Sequence, residues 1–331
     1  DHNPLPEDEF LSRSEHGATA VSRRCLFLAA SSTVAIAQTN VVDLVNPIIG
    51  TNGMGHTFPG ACVPFGLVQL SPDTDTIPHN VDGKYQPRSY EYCAGYQHKD
   101  SSIVGFSHTH FSGTGHSDLG DILIMPTTGT LKLNPGTATN PDGGYRSRFS
   151  HDTEISRPGY YEVMLADYGV KAQLTTTQRA GIHKYTYPTN SENQRIILDM
   201  IHGIYNYDGK VLWTNIRVEN DTLVTGYRIT NGWARTNYTY FAMSFSKPIT
   251  HYGCEEKAKV NYRGGYAKFN MKENFPDIGG RKIVAYFDFD PKTSDELEVK
   301  VALSGVSTEG AVNNLRAEAS GADFDQLAAK A

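Results

Sequence analysis

Between residues 159 and 304 the chain consists of short runs in which apolar and polar residues alternate, with turn residues between them. In "GVKAQLTTTQ" (169–178), Val170, Ala172 and Leu174 fall on one face of an extended strand, and polar side chains occupy the other. The runs follow one another at hairpin distance, and no long amphipathic helix separates them. This pattern predicts a mainly β fold, an antiparallel β-sandwich whose sheets pack face to face.

The turn residues between these runs predict where each strand begins and ends. Asn220 and Asp221 mark the turn of a hairpin within residues 211–229. Further strands are expected at 159–166, 169–178, 180–188, 194–202, 239–249, 264–271, 281–290 and 295–304. The sequence contains no repeat of 20–50 residues, which argues against a propeller or a solenoid.

Residues 308–331 differ in composition from the strands before them. They are rich in Ala, and the apolar residues Ala311, Leu315 and Ala319 recur at helical spacing. Asp323 is placed to cap a second, shorter helix. Two helices are therefore predicted after the last strand.

The N-terminal part of the chain resembles a processing signal. In residues 23–38 a pair of arginines precedes an apolar run that ends in "AIA", a cleavage-type sequence. The run is too short and too rich in Ser to span a bilayer. We therefore expect secretion to the periplasm or the extracellular space, with a short buried helix at 25–37 as the alternative.

Four segments follow from these observations. Residues 1–22 are acidic and expected to be disordered, and 23–38 form the signal-like segment. Residues 41–304 are expected to form the sandwich domain, and 305–331 the start of a helical linker. Because the last helix is barely two turns long and lacks a terminating signal, we expect the linker to lead into a further domain.

Charge and cysteine content exclude several classes of protein. The formal net charge is -6 and no dense Lys/Arg run is present, so a nucleic acid partner is not expected. The 4 cysteines are too few for a disulfide scaffold and show no C-x-x-C spacing. Either one bridge between Cys62 and Cys93 or free thiols fit this count.

Gly, His and Pro concentrate between residues 46 and 126, in long irregular segments of the kind that carry binding residues. One interpretation is a metal site. His108 and His110 would share a face of an extended strand, with His116 or Asp118 as a third ligand for zinc or iron. The alternative is that the imidazoles are bonded to the backbone.

A second interpretation is a pair of carboxylates for acid–base catalysis. Asp73 with Asp75, or Asp118 with Asp121, would supply such a pair. Aspartates in turns more often bond to their own backbone, which is the alternative for these residues.

A third interpretation is a sugar-binding site, which combines aromatic surfaces with short polar side chains that bind hydroxyl groups. Alternatively, the tyrosines are half-buried sheet residues. The residues that supply these types are Tyr90, Tyr92, Tyr96, His98, Lys99, Asp100, Ser112 and Thr114.

Three long motifs in this part of the chain resemble a known family. They are "VNPIIGTNGMGHTFPGACVPFGLVQLSPDT", "YCAGYQHKDSSIVGFSHTHFSGTGHSDLGDILIMP" and "FSHDTEISRPGYYEVML". They are similar to the N-terminal part of glycoside hydrolase family 92, the calcium-dependent exo-acting α-mannosidases. The similarity extends from about Val42 to the end of the chain.

The resemblance implies a two-domain enzyme, with an N-terminal β-sandwich (a supersandwich), a helical linker and a C-terminal (α/α)6 barrel. Family members release terminal α-linked mannose from glycans with inversion, and the barrel supplies the general acid, the general base and the Ca²⁺ ligands. This chain resembles only the sandwich and the start of the linker. No catalytic residue or metal ligand is therefore assigned within it, and the chain alone is expected to be inactive. Its expected partners are mannose-containing glycans and its own barrel domain.

The resemblance also implies that three loops contribute to the sugar pocket, "GHTFPG" (55–60), "YQHKD" (96–100) and "SGTGHSDLGD" (112–121). His108 and His110 are then expected mainly to hold the loop between them. The alternatives are a stand-alone carbohydrate-binding module or a His-ligated metalloenzyme. The expected substrate-binding residues are His56, Phe58, His98, Lys99, Asp100, Ser112, Gly113, Thr114, His116 and Asp118.

Overall fold

The computed structural model describes residues 41–75, 77–113, 118–258 and 273–331. The predicted segments 1–22 and 23–38 and the predicted strand 264–271 lie outside this part of the chain. The described strands are β1 Ala61–Cys62, β2 Gln69–Asp73, β3 Asn80–Val81, β4 Lys84–Tyr85, β5 Ser102–Ile103, β6 Gly105–Ser107, β7 Leu123–Thr127, β8 Ser147–Arg148, β9 Ile155–Arg157, β10 Tyr160–Leu165, β11 Val170–Thr176, β12 Ala180–Thr186, β13 Gln194–Asp199, β14 Val211–Asn220, β15 Leu223–Thr230, β16 Asn237–Phe245, β17 Ile249–Glu256, β18 Asp277–Gly280, β19 Ile283–Phe289 and β20 Glu296–Ser304.

Most of these strands belong to two antiparallel sheets. One sheet has the order β1-β2-β6-β7-β13-β19-β17, and the other has the order β18-β14-β15-β16-β20-β12-β11-β10-β9. Phe106 and Ile124 from the first sheet share one buried hydrophobic core with Leu174 and Val299 from the second. The predicted antiparallel sandwich is confirmed.

The outer face of the nine-stranded sheet is covered by two helices, α1 Thr308–Ala319 and α2 Phe324–Ala328. On β12, Tyr185 faces the core between the sheets, whereas Ile182 packs with Leu315 and Phe324 of the helices. The carboxylate of Asp323 accepts from the N–H of Gln326 at 2.8 Å and caps α2. Both predicted helices and the predicted cap are confirmed.

The cysteines of the described residues are free thiols. Cys62 is exposed and Cys93 is buried, so the free-thiol alternative applies to this pair. Within the described part of the chain, no helix combines the length and the apolar character that crossing a membrane requires.

Candidate functional site

Reciprocal hydrogen bonds join the first two of the three loops. The N–H of Gly53 donates to Oε1 of Gln97 (2.7 Å), and Nε2 of Gln97 donates to the carbonyl of Gly53 (2.9 Å). The N–H of His98 donates to the carbonyl of Thr51 at 2.8 Å. These bonds hold the segment that leads into the first loop beside the second loop.

The third loop pairs with the first through His56 and Gly113. Nδ1 of His56 donates to the carbonyl of Gly113 (3.1 Å), and the N–H of Gly113 donates to the carbonyl of His56 (2.8 Å). The ring of His56 also stands edge-on to that of Tyr90, with 4.7 Å between the centroids. The described parts of the three loops therefore lie together at one place on the domain.

Two buried polar atoms in these loops have no hydrogen-bond partner among the described residues. One is Nε2 of His56, a residue that is 7% exposed and whose φ of 52° lies in the left-handed region. The other is Oδ2 of Asp100, whose Oδ1 accepts from the hydroxyl of Tyr92 at 3.1 Å. Buried polar groups are normally paired, and backbone strain concentrates at functional sites. His56 and Asp100 are therefore the strongest candidates to bind ligand hydroxyl groups.

The other predicted binding residues of these loops occupy varied environments. Phe58 is half-buried, and its ring centroid lies 5.4 Å from that of His110. Lys99 is exposed, and its Nζ lies 2.6 Å from a carboxylate oxygen of Glu91. Ser112 is exposed at the edge of the third loop. Phe58 and Ser112 are thus accessible to a ligand, while Lys99 already has an ionic partner.

Asp118, by contrast, is turned into the protein. Its carboxylate accepts hydrogen bonds from the N–H groups of Trp233 (2.9 Å) and Ala234 (3.0 Å), so it shapes the turn that contains them. Thr114 and His116 lie outside the described residues.

Beneath the loops, Asp73 is fully buried between two imidazoles. Nε2 of His110 lies 2.9 Å from its Oδ1, and Nε2 of His202 lies 2.7 Å from its Oδ2. Nδ1 of His110 lies 2.7 Å from the carbonyl of Gln69, so both of its ring nitrogens are engaged by other protein groups. Burial raises the pKa of Asp73, but the two imidazoles outweigh it and hold that pKa well below its usual range. Gly95 has a φ of +81°, and a Cβ there would stand 1.9 Å from Oδ1 of Asp73.

A second buried chain of hydrogen bonds passes through His108. Its Nδ1 donates to the carbonyl of Ile122 (2.6 Å), which leaves Nε2 to accept from Nε2 of His183 at 3.0 Å. Nδ1 of His183 accepts from the hydroxyl of Tyr185 at 2.8 Å. Both rings are therefore neutral. Burial lowers the pKa of His108 to about 4 and lowers that of His183 well below its ordinary value.

This neutral pair predicts a loss of stability on mild acidification. Both folded-state pKa values lie below the ordinary 6.5, so the stabilisation is complete above that pH and falls as the pH drops towards 4. For His108 alone, the free energy of unfolding falls by about 3 kcal/mol once the pH is below 4. Asp73, with its lowered pKa, contributes stability that is lost only below about pH 4. Urea unfolding at about pH 7, 6 and 5 measures the effect, and a flat profile would contradict a neutral His108–His183 pair.

These contacts bear on the metal and carboxylate interpretations. Both ring nitrogens of His108 and of His110 are bonded to other protein groups, so neither ring offers a free ligand atom. Asp73 is held by its two imidazoles, and Asp75 lies 3.2 Å from the guanidinium of Arg146. The arrangement therefore gives these residues a supporting role under the loops.

Asp121 is the centre of a buried ion pair that sequence reasoning did not identify. Its Oδ1 accepts from Nε (3.0 Å) and lies 2.7 Å from a terminal nitrogen of Arg228, and its Oδ2 accepts from the hydroxyl of Thr109 (2.8 Å). Arg228 also donates to the carbonyl of His202. Burial and the nearby guanidinium lower the pKa of Lys210 to about 7. The ion pair between Asp121 and Arg228 therefore ties the loop after β6 to β15 of the opposite sheet.

Comparison with known proteins identifies the family of this domain. Residues 44–304 match the model of the glycosyl hydrolase family 92 N-terminal domain. The chain belongs to glycoside hydrolase family 92. The resemblance read from the three motifs is therefore confirmed.

Solved structures from family 92 share this fold. An α-mannosidase from Bacteroides thetaiotaomicron, solved in complex with mannoimidazole, has 42% sequence identity and a TM-score of 0.76, over 88% of this chain. An inverting mannosidase from the same species has 26% identity and a TM-score of 0.69, again over 88% of this chain. The curated protein named "uncharacterized secreted glycosidase" from Arthroderma benhamiae is 29% identical over 175 residues, or 50% of this chain.

This chain corresponds to only part of each relative. It covers 36% and 35% of the two bacterial mannosidases and 20% of the fungal glycosidase. The comparison therefore establishes the family and the fold of the domain, and relates it to glycosidases of greater length.

Proposed function

We propose that this chain is the N-terminal domain of a secreted, inverting exo-α-mannosidase, and that its loops form one wall of the pocket for a terminal α-linked mannose. The observation that carries the proposal is the convergence of the three loops, with unpaired polar atoms on His56 and Asp100. It is supported by the α-mannosidase and the inverting mannosidase named above. The signal-like residues 23–38 and the secreted fungal relative support export.

In this pocket, His56 would accept a hydrogen bond from a sugar hydroxyl through Nε2, because its Nδ1 proton is already donated to Gly113. Asp100 would accept a second one through Oδ2, since Tyr92 uses its Oδ1. Phe58 offers apolar surface for the C–H face of the ring. Hydrogen-bond acceptors beside an aromatic surface are typical of sugar-binding sites, because they match the hydroxyl groups and the C–H face of the ring.

The aspartates that the sequence suggested as catalytic pairs are already engaged in other contacts. Inversion needs two carboxylates far enough apart to admit a water molecule. Asp73, Asp118 and Asp121 are engaged by imidazoles, backbone N–H groups and a guanidinium, respectively. We therefore place the general acid and the general base in the C-terminal domain of the complete enzyme.

Calcium is proposed for the same C-terminal domain, where it would bind substrate hydroxyl groups. Ca²⁺ takes six to eight oxygen ligands. Among the described residues, the cluster of three potential metal ligands contains two imidazoles, so it does not fit this ion.

The proposal is tested by mannose release from an α-linked mannobiose. We expect the complete enzyme to release β-mannose first, as seen by proton NMR, and to lose its activity when a chelator removes calcium. The 331-residue chain alone should release none, because the proposal assigns both catalytic carboxylates to the C-terminal domain. Mannose release by the chain alone, or α-mannose as the first product of the complete enzyme, would contradict the proposal.

The stand-alone carbohydrate-binding module remains the alternative, and calorimetric titration of the 331-residue chain with methyl α-mannoside separates it. A module binds the sugar without help from a second domain. One wall of a pocket should give no measurable heat. Saturable binding by the chain, together with no hydrolysis by the complete protein, would favour the module.

A further inference from the structure

A cluster of three potential metal ligands lies at the edge of the second loop. His98 belongs to this loop, whereas His151 begins the short helical turn His151–Thr153 before β9, and Glu154 follows that turn. One ligand atom from each residue lies within 4.8 Å of the other two. The rings of His98 and His151 have their centroids 4.0 Å apart. Chain segments 53 residues apart thus present nitrogen and oxygen donors to one point.

The carboxylate of this cluster is held in a fixed orientation. Only 3% of the Glu154 side chain is exposed. Its Oε1 accepts from the hydroxyls of Tyr96 (2.8 Å) and Tyr161 (2.7 Å), and its Oε2 lies 2.6 Å from Nδ1 of His151. Metal-ligating carboxylates are usually oriented by such hydrogen bonds. The hydroxyl of Tyr96 also reaches Oε2, at 3.0 Å, so an ion bound at Oε2 would replace its contact with Nδ1 of His151.

The two imidazoles of the cluster are open to an ion from solvent. His151 is exposed, with the ring of Phe149 packed edge-on against it at 5.0 Å. His98 is half-buried, and its Nδ1 lies 3.5 Å from the hydroxyl of Tyr96. In contrast with His108 and His110, neither ring has hydrogen-bond partners at both of its nitrogens among the described residues.

We propose that His98, His151 and Glu154 bind a zinc ion. Two imidazoles and a carboxylate form a common three-residue zinc set, which leaves the fourth tetrahedral position for water. Zinc holds neighbouring ligand atoms about 3–3.5 Å apart, and the ligand atoms of the three residues lie within 4.8 Å of one another, so the site would close around the ion on binding. The ion ties the 96–100 loop to the segment before β9 and thereby fixes the position of His98. The site stands independently of the mannosidase proposal, and its test needs no enzymatic activity.

The test is calorimetric titration of the metal-free 331-residue chain with zinc. We expect one ion per chain, and affinity lowered at least about 100-fold in His151→Ala and in Glu154→Gln. His251→Ala is the matched control, because His251 is also a surface imidazole beside a carboxylate, 3.4 Å from Asp288. The control should bind zinc as the unmodified chain does.

Two further measurements separate the proposal from other outcomes. Thermal unfolding in the presence of a chelator shows whether each variant is folded, and the exposed His151 makes its substitution safe for the fold. Calcium, which prefers oxygen ligands, should not displace the zinc. Absence of zinc binding, equal binding by folded His151→Ala, or ready displacement by calcium would each overturn the proposal.

Discussion

Replacement of Arg228 by methionine is expected to lower the free energy of unfolding by about 3–5 kcal/mol. Arg228 is fully buried, and its guanidinium is the counter-charge of the Asp121 carboxylate. Methionine fills a comparable volume but leaves Asp121 buried with an uncompensated charge, and the carbonyl of His202 loses its donor. Urea denaturation of the chain measures the loss.

Arg217→Met is the matched control for this substitution. Arg217 lies on β14, next to β15, but its side chain is 60% exposed and stands 3.5 Å from Glu219. Exposed ion pairs contribute little, so a change below about 1 kcal/mol is expected. An Arg228→Met variant as stable as the control would contradict the structural role of the buried pair.

The strands of the nine-stranded sheet could be predicted because its inner face is buried in the core, whereas its outer face is covered only in part, by the two helices. On β20, Val299 and Val301 face the other sheet, while Ala302 faces the helices. Alternation of size and polarity therefore survives in the sequence. The hairpin turn at Asn220 and Asp221 could also be predicted locally, from its turn-forming residues, and it joins β14 to β15.

The strand predicted at 239–249 is wrong at its end. β16 stops at Phe245, and Ile249 already begins β17, which lies in the other sheet. Between them, Lys247 is buried and its Nζ donates to Oε1 of Gln194 at 2.5 Å. Apolar residues stand on both sides of the break, Phe245 before it and Ile249 after it, because both strands border the same core. Which sheet a strand joins depends on partners distant in sequence, and alternation does not encode them.

The sequence marks segments where a site is expected, but it does not reveal the groups that support them. Loop length and glycine density mark residues 46–126 as candidate binding segments, the family resemblance selects three loops among them, and their role as a mannose pocket stays a prediction. Asp73, however, meets His202 across 129 residues, and Asp121 meets Arg228 across 107. Pairs so far apart in the chain leave no local sequence pattern from which the contact could be predicted. The spacing of His108 and His110 suggested a metal site, whereas the fold gives both rings other partners.

Replacement of His56 by glycine in the complete enzyme tests most directly whether these loops form the mannose pocket. Glycine tolerates the left-handed φ of 52°, so the fold should be retained while the imidazole is lost. We expect kcat/KM for an α-mannoside to fall about 10–100-fold, because one hydrogen bond to the sugar disappears. Asn190→Gly is the control, since Asn190 has a φ of 68° in an exposed turn.

The deciding measurement is kcat/KM of the two variants beside the unmodified enzyme, with thermal unfolding as the check on folding. The pocket account predicts that His56→Gly is folded and much less active, and that Asn190→Gly keeps activity within about twofold. A folded His56→Gly enzyme with full activity would contradict it.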